Sequence, residues 1–147
     1  PFFFQAEDGI RYASTSRGRG DVYKRQDLES SDMTELLKNS DFVSLHVPAQ
    51  KSYIIGKNEF NLMKTGAGLI NAARGGVVDE KSLIESLDSG KLAFAGVDTF
   101  ENEPKPSVKL LMHPKVSLTP HIGAATNEAQ DRIGIELANQ IMTLVKE

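Results

Sequence analysis

The sequence predicts an α/β fold built on a doubly wound parallel sheet. From residue 32 onward, short apolar runs typical of buried strands alternate with segments whose apolar residues recur at helical spacing. Gly and Pro stand at the boundaries between these segments, where they favour turns. Strands that alternate with helices pair in parallel through right-handed crossovers, so the carboxyl ends of the strands are expected at one edge of the sheet.

The first predicted elements are a capped helix and a strand. Asp32 is in position to cap a helix, and Glu35 follows as the reciprocal acid of a capping box before two leucines. A strand is expected over residues 41–48, where an apolar run ends at Pro48. A short helix is expected over residues 57–63.

A strand and a helix are predicted next. Residues 68–72 form an apolar run typical of a buried strand. Residues 79–87 predict a helix, because Asp79 can act as its N-cap, acids follow in the first turn and leucines recur at helical spacing. Gly90 is expected to end that helix.

The remaining elements are two strands and a long helix. Residues 92–97 and 116–119 are apolar runs typical of strands. Residues 126–145 predict a helix with one apolar face, made up of Ile133, Leu137, Ile141 and Leu144.

Three loops that follow predicted strands carry ionisable side chains. Residues 71–76 hold Arg74, residues 98–104 hold Glu103, and residues 119–123 hold His121. Ligands of open α/β sheets bind beyond the carboxyl ends of the strands, so a cation, a carboxylate and an imidazole are expected together there. Each residue alone also has a structural interpretation: Arg74 as a loop residue, Glu103 as a solvated charge and His121 as a hydrogen-bonded structural histidine.

These three segments carry a resemblance to a known family. Residues 27–147 resemble the C-terminal NAD-binding part of the D-isomer-specific 2-hydroxyacid dehydrogenases, with the D-3-phosphoglycerate dehydrogenase branch nearest. The resemblance implies the C-terminal half of a Rossmann-like dinucleotide-binding domain. It also implies an oxidoreductase that moves a hydride between NAD(H) and a D-2-hydroxy acid or 2-keto acid, with 3-phosphoglycerate as one candidate substrate.

The resemblance assigns roles to the three ionisable residues. Arg74 is implied to bind the substrate carboxylate and carbonyl, Glu103 to pair with His121, and His121 to act as acid and base. Reduction of a 2-keto acid needs a proton at the carbonyl oxygen, which an imidazole supplies near neutral pH. A neighbouring carboxylate favours the charged imidazole and fixes which ring nitrogen faces the substrate. The planar fork of an arginine suits a carboxylate.

The resemblance also implies a set of cofactor-binding positions. They are His46, Val47, Pro48, Ala72, Ala73, Arg74, Asp98, His121, Gly123 and Ala124. Asp98 is implied to help hold the nicotinamide carboxamide. On the residues alone, His46 can instead be a strand-end histidine satisfied by the backbone, and Gly123 a small residue that permits close approach of the chain.

Residues 1–26 are set apart as a head. Residues 2–11 and 21–26 resemble translated sequencing-adapter DNA, so the head is expected to be artefactual or disordered, without sustained helical or strand periodicity. The competing interpretation is a basic tail that attracts an anionic surface. Gly18-Arg19-Gly20 does not predict a dinucleotide fingerprint, because Tyr23 stands where the third glycine would fall.

Composition favours a soluble globular protein. The 147 residues are 39% hydrophobic and 25% charged, with a net charge of −3, which gives no reason to expect nucleic acid. No apolar run is long enough to cross a bilayer, and no secretory signal is evident, so a cytoplasmic location without a membrane partner is expected. Cys is absent and the three histidines are scattered, so no metal site is expected, and His113 is expected to be an exposed loop residue.

Several properties stay open at this level. A Gly-rich phosphate turn, with an acid beyond it for the ribose, is not found in the sequence, so the isolated chain is expected to be inactive. The resemblance implies a homodimer at full length, whereas the choice of 2-hydroxy acid and of NAD over NADP is not determined. Two alternatives remain: a non-catalytic dinucleotide-binding regulator of the corepressor kind, and an inactive interaction fragment.

Overall fold

A computed structural model describes residues 2–4 and 29–145. The described residues contain the strands β1 (Phe2–Phe4), β2 (Glu29–Ser31), β3 (Phe42–Leu45), β4 (Ala67–Asn71), β5 (Leu92–Val97) and β6 (Val116–Leu118). They also contain the helices α1 (Met33–Asn39), α2 (Lys57–Leu62), α3 (Glu80–Asp88), α4 (Val108–Leu111) and α5 (Asn127–Val145).

Four of the strands form one parallel sheet in the order β3-β4-β5-β6. Its register places Leu45, Asn71, Val97 and Leu118 in one row across the sheet. Because the strands are parallel, the chain leaves each strand at the same edge. The predicted α/β class with a parallel sheet is confirmed.

One face of the sheet is packed against helices. Val43, Leu69 and Ala95 point into a core that also takes the apolar residues of α1, α2 and α3, and α2 contacts both α1 and α3. On the opposite face, Phe42 and Phe94 lie in register with Gly68, and their ring centroids are 6.0 Å apart. Gly68 makes room for this pair, because an added Cβ would come within 2.5 Å of the Phe94 ring.

The predicted N-caps of α1 and α3 are present, but among the described residues the Glu35 side chain does not bind the Asp32 N–H, so the expected capping box at α1 is only half formed. The carboxylate of Asp32 accepts a hydrogen bond from the Glu35 backbone N–H at 2.8 Å, and Asp79 accepts from the N–H groups of Lys81 and Ser82. These bonds satisfy donors that the first turn of a helix leaves without an internal partner. After α3, Gly90 adopts a φ of +76°, a backbone conformation in which glycine ends helices readily.

Some elements differ from the sequence prediction. β3 ends at Leu45 rather than at Pro48, because its ladder partner β4 ends at Asn71, directly opposite Leu45. α4 was not predicted, since four residues are too short to show helical periodicity. Within the head, β1 forms a strand that pairs in parallel with β2, although three aromatic residues are too few to display alternation. The expectation that residues 1–26 are artefactual or disordered stays a prediction. Residues 5–26 lie outside the described part of the chain.

The long C-terminal helix is confirmed but lies unpacked. α5 spans Asn127–Val145, within one residue of the prediction, and none of its residues is buried. The four apolar residues of the predicted face are all exposed. The apolar face of α5 is therefore not packed against any of the described residues.

Candidate active site

The segments that follow the aligned strand ends build the site. Because Leu45, Asn71, Val97 and Leu118 form one row, the residues after them share one edge of the sheet. Adjacent strands lie about 4.8 Å apart, so the edge from β3 to β6 is roughly 14 Å long. This is the edge at which open parallel sheets bind ligands.

His121 and Glu103 form a hydrogen-bonded pair. Nδ1 of His121 lies 2.9 Å from Oε2 of Glu103, and both side chains are partly exposed, at 43% and 37%. The other Glu103 oxygen accepts the Phe100 backbone N–H at 2.9 Å. The Phe100 N–H first, and then His121, hold the pKa of Glu103 below its ordinary value. The pair leaves Nε2 of His121 as the ring nitrogen available to a ligand.

Asp98 organises the loop that carries His121. Its Oδ1 accepts hydrogen bonds from the Thr119 hydroxyl at 2.6 Å and the Ile122 N–H at 2.9 Å, and its Oδ2 accepts from the Gly123 N–H at 3.0 Å. Burial acts to raise the pKa of Asp98, but these hydrogen bonds, together with nearby His121, outweigh it and lower the pKa below its ordinary value. His121 itself adopts a φ of +57°, in the left-handed region. Asp98 therefore holds the backbone on the C-terminal side of a strained residue.

Asn71 shapes the loop that carries Arg74. Its side-chain Oδ1 accepts the Ala73 N–H at 3.2 Å, and its Nδ2 donates to the Arg74 carbonyl at 3.4 Å. The Arg74 guanidinium donates one bond to the Ala73 carbonyl at 2.7 Å, and the residue is exposed. Since a guanidinium has five N–H donors, most of them remain for a ligand.

Backbone contact joins the Arg74 loop to the Glu103 loop. A Cβ added to Gly75 would overlap the carbonyl oxygen of Phe100. The N–H of that same Phe100 binds Glu103, which binds His121. The structure therefore brings the three predicted catalytic residues into one set of adjoining loops.

The predicted group at the end of β3 lies apart from this set. Nε2 of His46 is 2.8 Å from the Ser44 hydroxyl, so this ring nitrogen is bound by a side chain rather than by the backbone. His46 and Val47 line a cavity of about 310 Å³ together with apolar residues of β3 and α1. Pro48 follows as an exposed residue. No described hydrogen bond links these three residues to His121.

Small exposed residues leave part of this edge open to a ligand. Ala72, Gly123 and Ala124 are exposed and carry at most a methyl group, so a flat ring can approach their backbone, while Ala73 is buried. Oδ2 of Asp98 accepts one N–H among the described residues and has capacity for a second donor. A Cβ added to Gly123 would lie 3.0 Å from that oxygen. This short distance also supports the interpretation of Gly123 as a small residue that permits close approach of the chain.

Sequence reasoning missed several residues that shape the site. Asn71 and Thr119 open the predicted segments 71–76 and 119–123, but no role was assigned to them, although a polar side chain at a strand end was the available signal. Glu80 and Glu101 exchange hydrogen bonds across 21 residues of sequence, which no local pattern marks. Thr99 is buried, and its hydroxyl has no partner among the described residues.

His113 corrects an expectation. Its side chain is only 8% exposed, and Nε2 lies 3.2 Å from the Asp88 carboxylate at the end of α3. It was expected to be exposed because no motif surrounds it, and its carboxylate partner lies 25 positions away in the sequence.

Residues 2–4 and 29–145 contain neither a membrane-spanning helix nor a metal-binding cluster. Within these ranges no helix combines the length and apolar character needed to cross a membrane. The same ranges contain no group of three His, Asp or Glu side chains arranged to hold a metal ion.

Comparison with known proteins determines the family. A family model described as "D-isomer specific 2-hydroxyacid dehydrogenase, NAD binding domain" matches residues 7–123, which is more than half of the chain. The chain belongs to this family. The family and the Rossmann-like fold class expected from the sequence are thereby confirmed, as is NAD as the cofactor of the domain. The match begins inside the segment set apart as a head, and the boundary between residues 26 and 27 remains a prediction.

Three similar proteins illustrate the relationship. A hydroxypyruvate reductase of Thermotoga maritima is 48% identical over 119 residues, covering 78% of this chain and 39% of that protein. A D-3-phosphoglycerate dehydrogenase of Methanocaldococcus jannaschii is 44% identical over 117 residues, covering 78% of this chain and 22% of that protein. The crystal structure of a D-lactate dehydrogenase from Aquifex aeolicus, complexed with NAD and lactic acid, matches with a TM-score of 0.66 and 31% identity, covering 94% of this chain and 49% of that one.

Proposed function

We propose that the protein carrying this sequence is an NAD-dependent D-2-hydroxyacid dehydrogenase that interconverts a 2-keto acid and a D-2-hydroxy acid. The observation that carries the proposal is the His121–Glu103 pair, held by Asp98 at the ligand-binding edge and adjoined by the Arg74 loop. The chain spans 39% and 22% of the two curated relatives, so the activity belongs to the proposal rather than to the comparison.

The proton step falls to His121. NADH, when bound, supplies the hydride to the carbonyl carbon of the keto acid. Because Nδ1 of His121 is engaged by Glu103, Nε2 donates the proton to the carbonyl oxygen, and in the reverse direction it accepts the hydroxyl proton. The Glu103 carboxylate stabilises the imidazolium and fixes the orientation of the ring.

Arg74 binds the substrate. Its exposed guanidinium has donors left after the bond to the Ala73 carbonyl, and a planar fork pairs with a carboxylate through two parallel hydrogen bonds. The same cation polarises the carbonyl oxygen as negative charge develops on it. Asn71 keeps the loop in place while the guanidinium is engaged.

The cofactor is held by the small residues of the edge. Ala72, Ala73, Gly123 and Ala124 would lie beside the nicotinamide, and Asp98 would accept a hydrogen bond from its carboxamide. His46, Val47 and Pro48, at the far end of the edge, would contact a more distant part of the dinucleotide. The phosphate-binding turn of such sites is not found in this sequence, so we propose that the 147-residue chain alone has little or no activity.

The proposal extends to substrate and assembly. The partner is a small 2-hydroxy or 2-keto acid, with 3-phosphoglycerate among the candidates, and neither nucleic acid nor a membrane. A cytoplasmic location and a homodimer at full length complete the proposal. Cell fractionation and light scattering with size-exclusion chromatography test these two features.

The first experiment reads the source DNA upstream of the codons for residues 23–29. A strand, a Gly-rich turn and a preceding domain in place of residues 1–26 would support both the domain boundary and the enzyme. The complete coding region is then expressed and assayed for NADH and NADPH oxidation with hydroxypyruvate, glyoxylate and 3-phosphohydroxypyruvate. A head that is encoded after a start codon would contradict the boundary.

Substitution of His121 provides the decisive variant. His121→Ala should lower kcat at least about 100-fold, as expected for loss of a general acid, while NADH binding measured by fluorescence is kept. If the unsubstituted protein binds NADH and turns over no 2-keto acid, the enzyme proposal fails, and a dinucleotide-binding regulator takes its place.

A further inference from the structure

Two glutamates outside the predicted triplet tie α3 to the Glu103 loop. The Glu80 backbone N–H donates to Oε1 of Glu101 at 2.8 Å, and the Glu101 backbone N–H donates to Oε1 of Glu80 at 2.8 Å. Each carboxylate thus accepts a hydrogen bond from the backbone N–H of the other glutamate. We call this reciprocal pair of bonds the glutamate clasp.

The clasp completes the first turn of α3. Glu80 is the first residue of the helix, and its N–H has no partner within the helix. The Glu101 carboxylate takes this donor, while Asp79 takes the N–H groups of Lys81 and Ser82. A negative charge at this end of a helix is also favoured by the helix dipole.

The other half of the clasp reaches the proposed catalytic pair. Glu101 directly follows Phe100, whose N–H binds Glu103 at 2.9 Å. Two successive backbone N–H groups of this loop therefore donate to carboxylates. The Phe100 N–H donates to Glu103, and the Glu101 N–H donates to Glu80 of α3. Release of the Glu80 bond would free the loop next to the residue that positions Glu103.

Glu80 holds its carboxylate in a buried position, which disfavours the charged form. The residue is only 8% exposed, and burial raises the pKa of Glu80 above its ordinary value; the Glu101 N–H opposes this rise and the Glu101 charge adds to it. The other titratable groups near the clasp are Asp79 and Tyr53, and the charge of Glu101 is the largest cause that raises the pKa of Tyr53. Burial disfavours the charged form of Glu80, and the hydrogen bond from the Glu101 N–H offsets part of that cost.

We infer that Glu80 is a positioning residue, which acts through the Glu101 backbone to hold Glu103 in hydrogen-bonding contact with His121. The inference rests on the proposed function, because it assigns a role in preparing the same proton donor. It predicts that the acceptor oxygen of Glu80 is required and that its charge is not.

Three substitutions at Glu80 separate these requirements. Glu80→Gln keeps an acceptor oxygen at the same length and removes the charge. Glu80→Asp keeps the charge but withdraws the acceptor by one methylene, and Glu80→Ala removes both. Glu85→Gln is the matched control, because Glu85 is exposed on the same helix.

The test uses the complete dehydrogenase from the source gene. Glu80→Ala and Glu80→Asp should lower kcat about tenfold or more, as expected when a reacting group is displaced, with the KM for NADH within about twofold and the pH–rate profile moved toward acid. Glu80→Gln should keep the kcat and the pH–rate profile of the unsubstituted enzyme, and so should the control Glu85→Gln. If Glu80→Gln is as damaging as Glu80→Ala, or if Glu80→Asp has normal kcat and an unmoved profile, the inference is overturned.

A spectroscopic readout keeps the test independent of turnover and of one variant's folding. With ¹⁵N-labelled histidine, the Nδ1 proton of His121, identified by its loss in His121→Gln, should give a downfield signal that persists in Glu80→Gln and weakens in Glu80→Asp. An unchanged signal in Glu80→Asp would contradict the inference. Absence of turnover in the unsubstituted protein would contradict the proposed function instead, and the signal would still report on the clasp.

Discussion

At the scale of single residues, Asp98 shows how one carboxylate can set the geometry of the proposed proton donor, His121. Its three hydrogen bonds come from one side chain and two main-chain N–H groups of the segment 119–123, on both sides of His121. Hydrogen bonds to a charged acceptor are stronger than those between neutral groups. The charge of Asp98 therefore contributes to the loop's stability as well as to its shape.

Asp98→Asn should lower the free energy of unfolding by about 2 kcal/mol near neutral pH, because its amide cannot accept all three hydrogen bonds. The pKa of Asp98 is lowered in the folded state. Its contribution is therefore fully present above the ordinary value for an unfolded aspartate, about 3.9, and is lost as the pH falls through the lower folded value. The measurement is denaturation of both proteins at several pH values. The difference in free energy of unfolding between Asp98→Asn and the unsubstituted protein should be constant between about pH 5 and 8. It should become smaller below about pH 4. A difference that shrinks already between pH 8 and 5 would contradict this assignment.

Glu103→Gln should shift the pH dependence of turnover toward acid in the complete enzyme. The imidazolium of His121 loses its carboxylate partner at 2.9 Å, so the protonated donor becomes less stable. In the reducing direction, activity should then fall at a lower pH than in the unsubstituted enzyme. The measurement is the pH profile of kcat/KM, with Glu85→Gln as a control for lost surface charge, and an unmoved profile would argue against the pairing.

At the scale of elements, the β4–α3 connection and the segment after β5 behave as one unit. Gly75 lies against the Phe100 carbonyl, and the glutamate clasp joins the same two segments a few residues further along. Arg74 and Glu103 are therefore spaced by main-chain contact, which is stiffer than contact between long side chains.

Gly75→Ala should disrupt this spacing. The added methyl group overlaps a backbone oxygen that cannot rotate away, so the two loops must separate, at a cost of about 1 to 3 kcal/mol in stability. In the complete enzyme, kcat should fall together with the affinity for the keto acid. Gly134→Ala is the control, since open space surrounds that position in α5 and alanine favours a helix by up to about 1 kcal/mol. Equal behaviour of the two variants would rule out the spacing role.

The elements themselves were largely predictable, and the connections between them were not. α3 has an N-cap, an apolar repeat and a terminal glycine within a dozen residues, so local chemistry suffices to place it. α4 has four residues, of which only Leu110 is buried, and that signal is too short to separate from a loop. The triplet was recognisable because each member follows a strand. The bonds of Asp98 and Glu80 join residues more than 20 positions apart, and periodicity carries no information about them.

At the scale of the whole molecule, the described residues expose two apolar surfaces. Phe42, Ile70 and Phe94 lie on the uncovered face of the sheet, and α5 exposes its apolar residues along its length. Contiguous apolar surface of this kind promotes association in water.

The 147-residue chain should therefore self-associate. Light scattering should show a mass that grows with concentration. The combined variant Ile133→Glu, Leu137→Glu and Ile141→Glu should reduce that growth, because each side chain is about half exposed in the structure. Asn139→Glu, on the same helix, adds charge without removing apolar surface and serves as the control. A monomer at all concentrations would contradict the prediction.

The left-handed backbone at His121 has a consequence for how this position can vary. A residue with a side chain at a φ of +57° costs about 1 kcal/mol or more relative to glycine, which adopts that conformation freely. Stability alone would thus select glycine at a position where the proposed proton step needs an imidazole. In a lineage that lost its dehydrogenase activity while the fold was maintained, the histidine would be among the first residues to drift, and a glycine or asparagine at this position would mark the loss.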